Sequence, residues 1–245
     1  MNPEREGLSA AGKTGVVVVL IVIVLGAAYA GPSMLAHSGT QSTSSQSAGS
    51  SSNDPAAALF SLFGHFSQMQ LQESVLSNPM GGDQSTLQQV SFSYVVLGKE
   101  TLNSIQYTKV LFSQAGLPHD VTAWFNAQGG IDRADVSGQS PYTGNGTKNL
   151  PAVQVYLTGF RVLTALAANT TLISMLSKTS DNMTTIGKMQ LTVTTYSLAV
   201  PTRPYTSITA KFAAIPGTNE RLLVYFDAKM TGGSETTIEV QSLTK

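Results

Sequence analysis

The chain contains no cysteine and few charged residues. Lysine, arginine, aspartate and glutamate make up 11% of its 245 residues, whereas an average soluble domain contains roughly 25%. The formal net charge is zero. The absence of cysteine excludes disulfide bonds, thiolate metal sites and cysteine nucleophiles. A balanced, sparse charge argues against a basic surface, so no nucleic-acid partner is predicted.

Hydroxyl residues occupy many of the positions that charges fill in other proteins. The chain has 28 serines and 27 threonines. Of its 28 charged residues, four precede position 15 and the other 24 lie from Asp54 onward. The low charge is therefore a property of the longer C-terminal region. Few carboxylates predict a stability that changes little between neutral and acidic pH.

A long apolar run near the N-terminus predicts a membrane segment. Residues 15–36 carry no charge, and a helix of roughly 20 apolar residues spans a bilayer. Arg5 and Lys13 precede the run and the next charge is Asp54, which places the N-terminus in the cytoplasm and the remainder outside. The alternative is a secreted protein whose signal peptide is cleaved near residue 30, because Ala28-Tyr29-Ala30 fits the small-x-small cleavage pattern.

A nucleotide-binding motif occurs just before the apolar run. Residues Gly7 to Thr14 match the phosphate-loop pattern G-x-x-x-x-G-K-[ST]. That loop functions between a buried strand and the N-terminus of a helix. Only six residues precede Gly7, and the apolar run follows Thr14. Residues 1–14 are therefore interpreted as a cytoplasmic stub, and no nucleotide or other cofactor is predicted.

The segment after the apolar run predicts a flexible tether. Half of the residues from Ser38 to Asn53 are serine, and none is charged or aromatic. Such a composition does not bury apolar surface, so residues 37–53 are predicted to be disordered. The apolar run resembles the N-terminal helix of type IV pilins, but the likeness ends at Pro32 and the tether.

Residues 54–245 predict one extracytoplasmic α+β domain. Asp54-Pro55 begins a helix whose apolar residues recur every three or four positions to about Val75, and Pro151 begins a second. About seven strands with short turns are expected to pair antiparallel, with the two helices packed on one face. The predicted strands are 90–96, 105–112, a third that runs over 121–126 and resumes over 131–136, then 189–200, 208–214, 221–230 and 236–243, with the first turn at Gly98-Lys99-Glu100.

The order of these elements, without any shared motif, resembles that of the periplasmic lipoprotein carriers. In that family a curved antiparallel sheet surrounds an apolar cavity that helices cover. The resemblance implies an apolar ligand face on the first predicted strand and the second helix. The candidate residues are Val90, Phe92, Tyr94, Val96, Phe160 and Leu163.

No catalytic or metal-binding residue is predicted. The three histidines, at positions 37, 65 and 119, lack the spacing of a metal site. The G-x-S-x-G motif of serine hydrolases does not occur. Arg133 and Asp135 lie on one face of a predicted strand and are interpreted as a surface ion pair. Three sequons predict candidate N-glycosylation at Asn145, Asn169 and Asn182.

These observations favour a non-enzymatic binding or assembly module, tethered to the cell membrane through residues 15–36. Its predicted partners are the membrane and either another protein or further copies of the chain. The first alternative is a carrier or sensor of a lipid or other apolar ligand between sheet and helices. The second is a filament or sheath subunit assembled by strand addition. An extracellular hydrolase is a further possibility that no motif supports.

Overall fold

The computed structural model of the protein describes residues 55–245 except 78–85, 118, 138–140, 145–146, 169–172 and 199–203. Contacts divide the chain after Asp54 into two units, and every described residue belongs to the second, Pro55–Lys245. The predicted stub, membrane segment and tether lie outside the described residues. Within the described part, no helix has the length and apolar character needed to cross a membrane.

The domain contains one antiparallel sheet with eleven described strands, in the spatial order β6-β5-β4-β3-β2-β1-β11-β10-β9-β8-β7. The predicted antiparallel sheet with two helices is confirmed, but the predicted count of about seven strands is wrong. The strands are β1 (Gln68–Ser77), β2 (Thr86–Leu102), β3 (Ile105–Gln114), β4 (Val121–Phe125), β5 (Ile131–Val136), β6 (Tyr142–Thr143), β7 (Leu176–Ile186), β8 (Met189–Leu198), β9 (Tyr205–Ala214), β10 (Arg221–Met230) and β11 (Glu235–Thr244).

The first helix is much shorter than predicted. Helix α1 spans Pro55–Phe63, and β1 occupies the rest of the predicted helix. Phe66 and Met69 satisfy the helical spacing, but from residue 68 the buried residues alternate with less buried ones. That period of two is typical of a strand with one buried face. The helical interpretation failed because Met69 lies three residues after Phe66, as in a helix, and also begins the alternation that continues through Leu71 and Val75.

The predicted turn at Gly98 is a β-bulge. Pairing between β2 and β3 shifts between Val96 and Gly98, and Gly98 has a φ of 121°. The strand continues to Leu102, and the chain turns at Asn103-Ser104, both with positive φ. Consecutive positive φ values are typical of the type I′ hairpin turn. Glycine therefore marked a change of twist rather than the end of the strand.

Both helices lie on the same face of the sheet, as predicted. Helix α2 spans Pro151–Ala168, and aromatic rings from α1, α2 and β2 to β4 pack together beneath them. The Phe112 ring has five aromatic neighbours with centroids 5.7 to 6.4 Å away, which are Phe63, Tyr94, Phe125, Tyr156 and Phe160. We call this group the aromatic core.

The C-terminal end of the sheet curls back on itself. The turn between β7 and β8 reaches β11, where Gly187 forms a parallel bridge with Leu243. A Cβ on Gly187 would lie 2.7 Å from the backbone nitrogen of Leu243. This close approach requires a residue without a side chain. No strand is predicted over β7 because its sequence, LSKTSDNMTTI, is mostly polar and exposed.

Candidate functional site

A buried carboxyl group lies in the middle of the helix-covered face. Glu73 on β1 is paired with Val90 on β2 and with Ile238 on β11. The same row continues to Phe226 on β10 and Ala210 on β9. Glu73 is thus the acidic member of an otherwise apolar row across five strands. Gln114 on β3 lies two strands from Glu73, because Phe92 of the intervening β2 pairs with it. We call Glu73 and Gln114 the polar pair, since both are buried with unpartnered side-chain atoms.

Burial changes the protonation of Glu73. The residue is 2% exposed, and its Oε1 atom has no hydrogen-bond partner among the described residues. Removal from water disfavours the charged carboxylate, which raises the pKa of the Glu73 carboxyl to about 8. At neutral pH the group is therefore mostly protonated, so it offers a neutral donor and acceptor.

Gln114 is the second buried polar side chain on this face. It ends β3, pairs with Phe92, and shares the face of Phe112 two residues earlier. In the described part of the chain, neither its amide nitrogen nor its amide oxygen has a hydrogen-bond partner. A buried polar group without a partner costs about 1–3 kcal/mol. Native structures contain few such groups, so three unpartnered atoms on two nearby strands require an explanation.

The polar atoms of the aromatic core, in contrast, are satisfied. The Tyr94 hydroxyl donates to the Phe66 carbonyl oxygen at 3.3 Å. The Tyr156 hydroxyl donates to the His119 carbonyl oxygen at 3.0 Å. Burial raises the pKa of both phenols, so they remain neutral donors. The lack of partners is therefore a local feature of the polar pair.

Five of the six predicted ligand-face residues are buried between sheet and helices. Val96 is the exception and is half-buried. The Phe160 ring lies 5.3 Å from Tyr94 and 6.3 Å from Phe92, centroid to centroid. A Cβ at Gly159 would lie 2.8 Å from the Phe92 ring. The rings of Phe92, Tyr94 and Phe160 are therefore closely packed against one another. A ligand role for the six residues stays a prediction. The buried members are Val90, Phe92, Tyr94, Phe160 and Leu163.

The opposite face of the sheet carries the only tryptophan of the chain in a row of charges. Lys109, Trp124 and Arg133 lie opposite one another on β3, β4 and β5. The Lys109 ammonium and the Arg133 guanidinium lie 4.9 and 4.5 Å from the Trp124 ring centroid. The Trp124 indole nitrogen donates to Glu100 at 3.0 Å. This bond, followed by the hydrogen bond from Lys109, lowers the pKa of the Glu100 carboxyl.

The remaining predicted residues are dispersed. Arg133 and Asp135 form the predicted ion pair at 3.2 Å, which is confirmed. His65 follows α1, and His119 is exposed in a loop. Within the described residues, no three of the His, Asp and Glu side chains are grouped so as to hold a metal ion.

The predicted glycosylation sites are only partly described. Asn182 is exposed on β7, where its amide nitrogen donates to Ser180 Oγ at 3.2 Å. Asn145 and Asn169, together with His37, lie outside the described residues. Modification at the three sequons stays a prediction.

The comparisons with known proteins leave the family open. No family model matches the chain, and no curated protein does. Among solved structures, the chain matches a Parabacteroides distasonis ATCC 8503 protein provisionally described as a lipoprotein, at 12% identity. The match covers 74% of this chain and 96% of that chain, with a TM-score of 0.21. A likeness this low carries no functional argument.

The sequence does contain a signal for Glu73 that the helical interpretation missed. In the stretch QMQLQESV, Glu73 is two residues from Leu71 and two from Val75. A period of two therefore places a carboxyl on the buried face. Gln114 gives no such signal, because it lies at the strand end, where polar residues are common.

Proposed function

We propose that the chain is a non-enzymatic binding module outside the cytoplasm, tethered by residues 15–36, that holds an apolar ligand with one polar end between sheet and helices. The observation that supports this proposal is the polar pair. Its three unpartnered atoms are buried among apolar side chains, and hydrogen-bonding groups of a ligand would satisfy them. Ligand sites are commonly apolar with a few polar groups that fix orientation.

The protonation of Glu73 narrows the ligand class. A carboxyl with a pKa of about 8 is mostly neutral at pH 7, so it favours an uncharged partner with hydroxyl or ester groups. Phe92 pairs with both Gln114 and Leu71, so buried aromatic and aliphatic side chains lie beside the polar groups. A neutral acyl lipid such as a monoacylglycerol has both parts.

Photo-crosslinking in lipid nanodiscs tests this proposal with the full chain. The probe is a monoacylglycerol that carries a diazirine in its acyl chain, and the adducts are located by peptide mass spectrometry. We expect adducts on β1, β2 and α2, and at least about a tenfold lower yield for Glu73→Leu, which corresponds to about 1.4 kcal/mol. Glu220→Gln, at an exposed position, is the matched control and should keep the wild-type yield.

The result that would overturn the proposal is equally specific. Adducts confined to residues 15–36, with the same yield in Glu73→Leu and wild type, would show that the probe only enters the bilayer. Thermal unfolding of each variant provides the check on folding. Replacing an unpartnered buried carboxyl by leucine should raise the unfolding temperature, so a lower yield cannot come from an unfolded domain.

Assembly by strand addition is a second candidate, supported by the sheet edge at β7. This strand has eleven residues and pairs only with β8 among the described strands. Met183 is 60% exposed on it. Lys178, Asp181 and a bulge between Lys178 and Ser180 are features that protect edges from pairing, so this candidate ranks second. Concentration-dependent sedimentation that Met183→Lys abolishes would favour it.

A further inference from the structure

The curl of β7 and β8 onto β11 creates a cavity that lies apart from the helix-covered face. Its volume is about 170 Å³, and residues from β7 to β11 line it. Clefts that hold drug-sized ligands are larger, about 300–1,000 Å³, so this cavity suits a small molecule. The Gly187–Leu243 bridge and a hydrogen bond from the Lys188 nitrogen to the Leu243 carbonyl oxygen, at 3.3 Å, position the hairpin.

Three side chains in this cavity lie side by side on adjacent strands. Lys211 on β9 is opposite Tyr225 on β10, and Tyr225 is opposite Glu239 on β11. Their neighbours Ala210, Phe226 and Ile238 belong to the row of Glu73, so Lys211, Tyr225 and Glu239 project from the other face of the sheet. The cavity is therefore independent of the proposed interior site.

The two charges in the cavity do not pair with each other. Lys211 Nζ lies 4.6 Å from the Tyr225 ring centroid, and within the described residues it forms no ion pair with a carboxylate. Glu239 accepts a hydrogen bond from Gln241 Nε2 at 2.8 Å. Neighbouring strands are about 4.8 Å apart, so the backbones that carry Lys211 and Glu239 lie roughly 10 Å apart, with the strand of Tyr225 between them.

We propose that this cavity binds a small zwitterion of the amino-acid type, whose carboxylate contacts Lys211 and whose ammonium group contacts Glu239. A ligand that carries both charges can contact Lys211 and Glu239 at the same time. Thr184 and Thr185 also line the cavity, and threonine hydroxyls are donors and acceptors. A simple anion or a simple cation leaves one of the two protein charges without a partner, so each should bind more weakly.

Titration of the full chain in a nonionic detergent with L-alanine, acetate and methylammonium, followed by saturation-transfer NMR, tests the proposal. We expect saturable binding of L-alanine with a Kd of about 1 mM or lower. Acetate and methylammonium should each bind at least about tenfold more weakly, since each makes one of the two charged contacts. Absence of saturable L-alanine binding, or equal binding of the three probes, would overturn the proposal.

Variants assign the binding to this cavity. Lys211→Met and Glu239→Gln should each weaken L-alanine binding by at least about tenfold. Lys178→Met is the matched control, because Lys178 is an exposed lysine paired with Asp181 on the outer part of β7. Unchanged binding in both cavity variants, or an equal loss in Lys178→Met, would contradict the assignment. Glu73→Leu should leave L-alanine binding intact, so this result is separable from that of the lipid experiment.

Discussion

The two faces of the sheet bury large side chains by different means. On the helix-covered face, Phe112 and its aromatic neighbours are enclosed by other apolar side chains, and burial leaves Glu73 without a partner for Oε1. On the opposite face, Trp124 is equally buried, but Lys109 and Arg133 cover its ring. The charged groups on this opposite face are partly exposed to solvent and lie beside groups of opposite charge.

This difference indicates which polar groups serve stability and which require another explanation. The charges around Trp124 are compensated, since Glu100 pairs with Lys109 at 3.1 Å and Arg133 pairs with Asp135. Glu73 and Gln114 have no comparable partners. A fold selected only for stability would replace them with apolar residues. Their presence is therefore the best evidence in the domain for a binding role.

The largest predicted effect concerns Glu73 and pH. The Glu73 carboxyl has a pKa of about 8 in the folded state and an ordinary value of 4.5, so between these values the folded chain holds a proton that the unfolded chain releases. Stability should therefore fall as pH rises from about 4.5 to about 8 and then level off. At about 1.4 kcal/mol per pH unit the total loss is of the order of 5 kcal/mol.

Denaturant unfolding of the full chain in a nonionic detergent, followed through the fluorescence of Trp124, measures this effect. Glu73→Gln should flatten the profile, because glutamine has no proton to release. Glu220→Gln, an exposed control, should retain the wild-type slope. An unchanged slope in Glu73→Gln would show that Glu73 finds a partner or water in the folded state.

Removal of a central ring should have the next largest effect. Phe112 contacts five aromatic rings in the aromatic core, so Phe112→Ala should lower the free energy of unfolding by about 4 kcal/mol. Phe212 on β9 is the matched control. It has one described ring neighbour, Tyr196 at 5.7 Å, and Phe212→Ala should cost about 3 kcal/mol, the lower end of the range for buried phenylalanine. Equal losses would show that the aromatic core around Phe112 is no more stabilising than the surroundings of Phe212.

Most of the strands could be predicted from sequence because their burial alternates over several residues. The strand from Arg221 to Met230 was predicted with the bounds that the structure gives, since turn residues flank it on both sides. The misassigned β1 shows the limit of periodicity. Helix α1 and β1 are separated by only four residues, and Met69 fits both the helical spacing from Phe66 and the alternation of β1. Pairing with β2 and β11 determines that β1 is a strand, and strand pairing cannot be derived directly from a single sequence.

The candidate sites were less predictable than the fold. Lys211, Tyr225 and Glu239 lie on three different strands, so only the register places them together. Their proximity also depends on the curl of β7, a polar strand without a hydrophobic pattern. The sparse charge predicted a stability with little pH dependence, but that argument counted carboxylates rather than their burial. Loss of hydration sets the size of the pKa change, so one buried carboxyl affects the pH dependence of stability more than many exposed ones.

The smallest predicted effect concerns the charges on the opposite face. Arg133→Gln removes the guanidinium over Trp124 and the pair with Asp135, both partly exposed, so it should cost about 1 kcal/mol. Trp124 should also become more exposed, which shifts its fluorescence emission to longer wavelength. Lys99→Gln, at an exposed position on β2, is the control and should change neither quantity. An Arg133→Gln loss as large as that of Phe112→Ala would mean that charge stabilises the opposite face as strongly as apolar packing stabilises the helix-covered face.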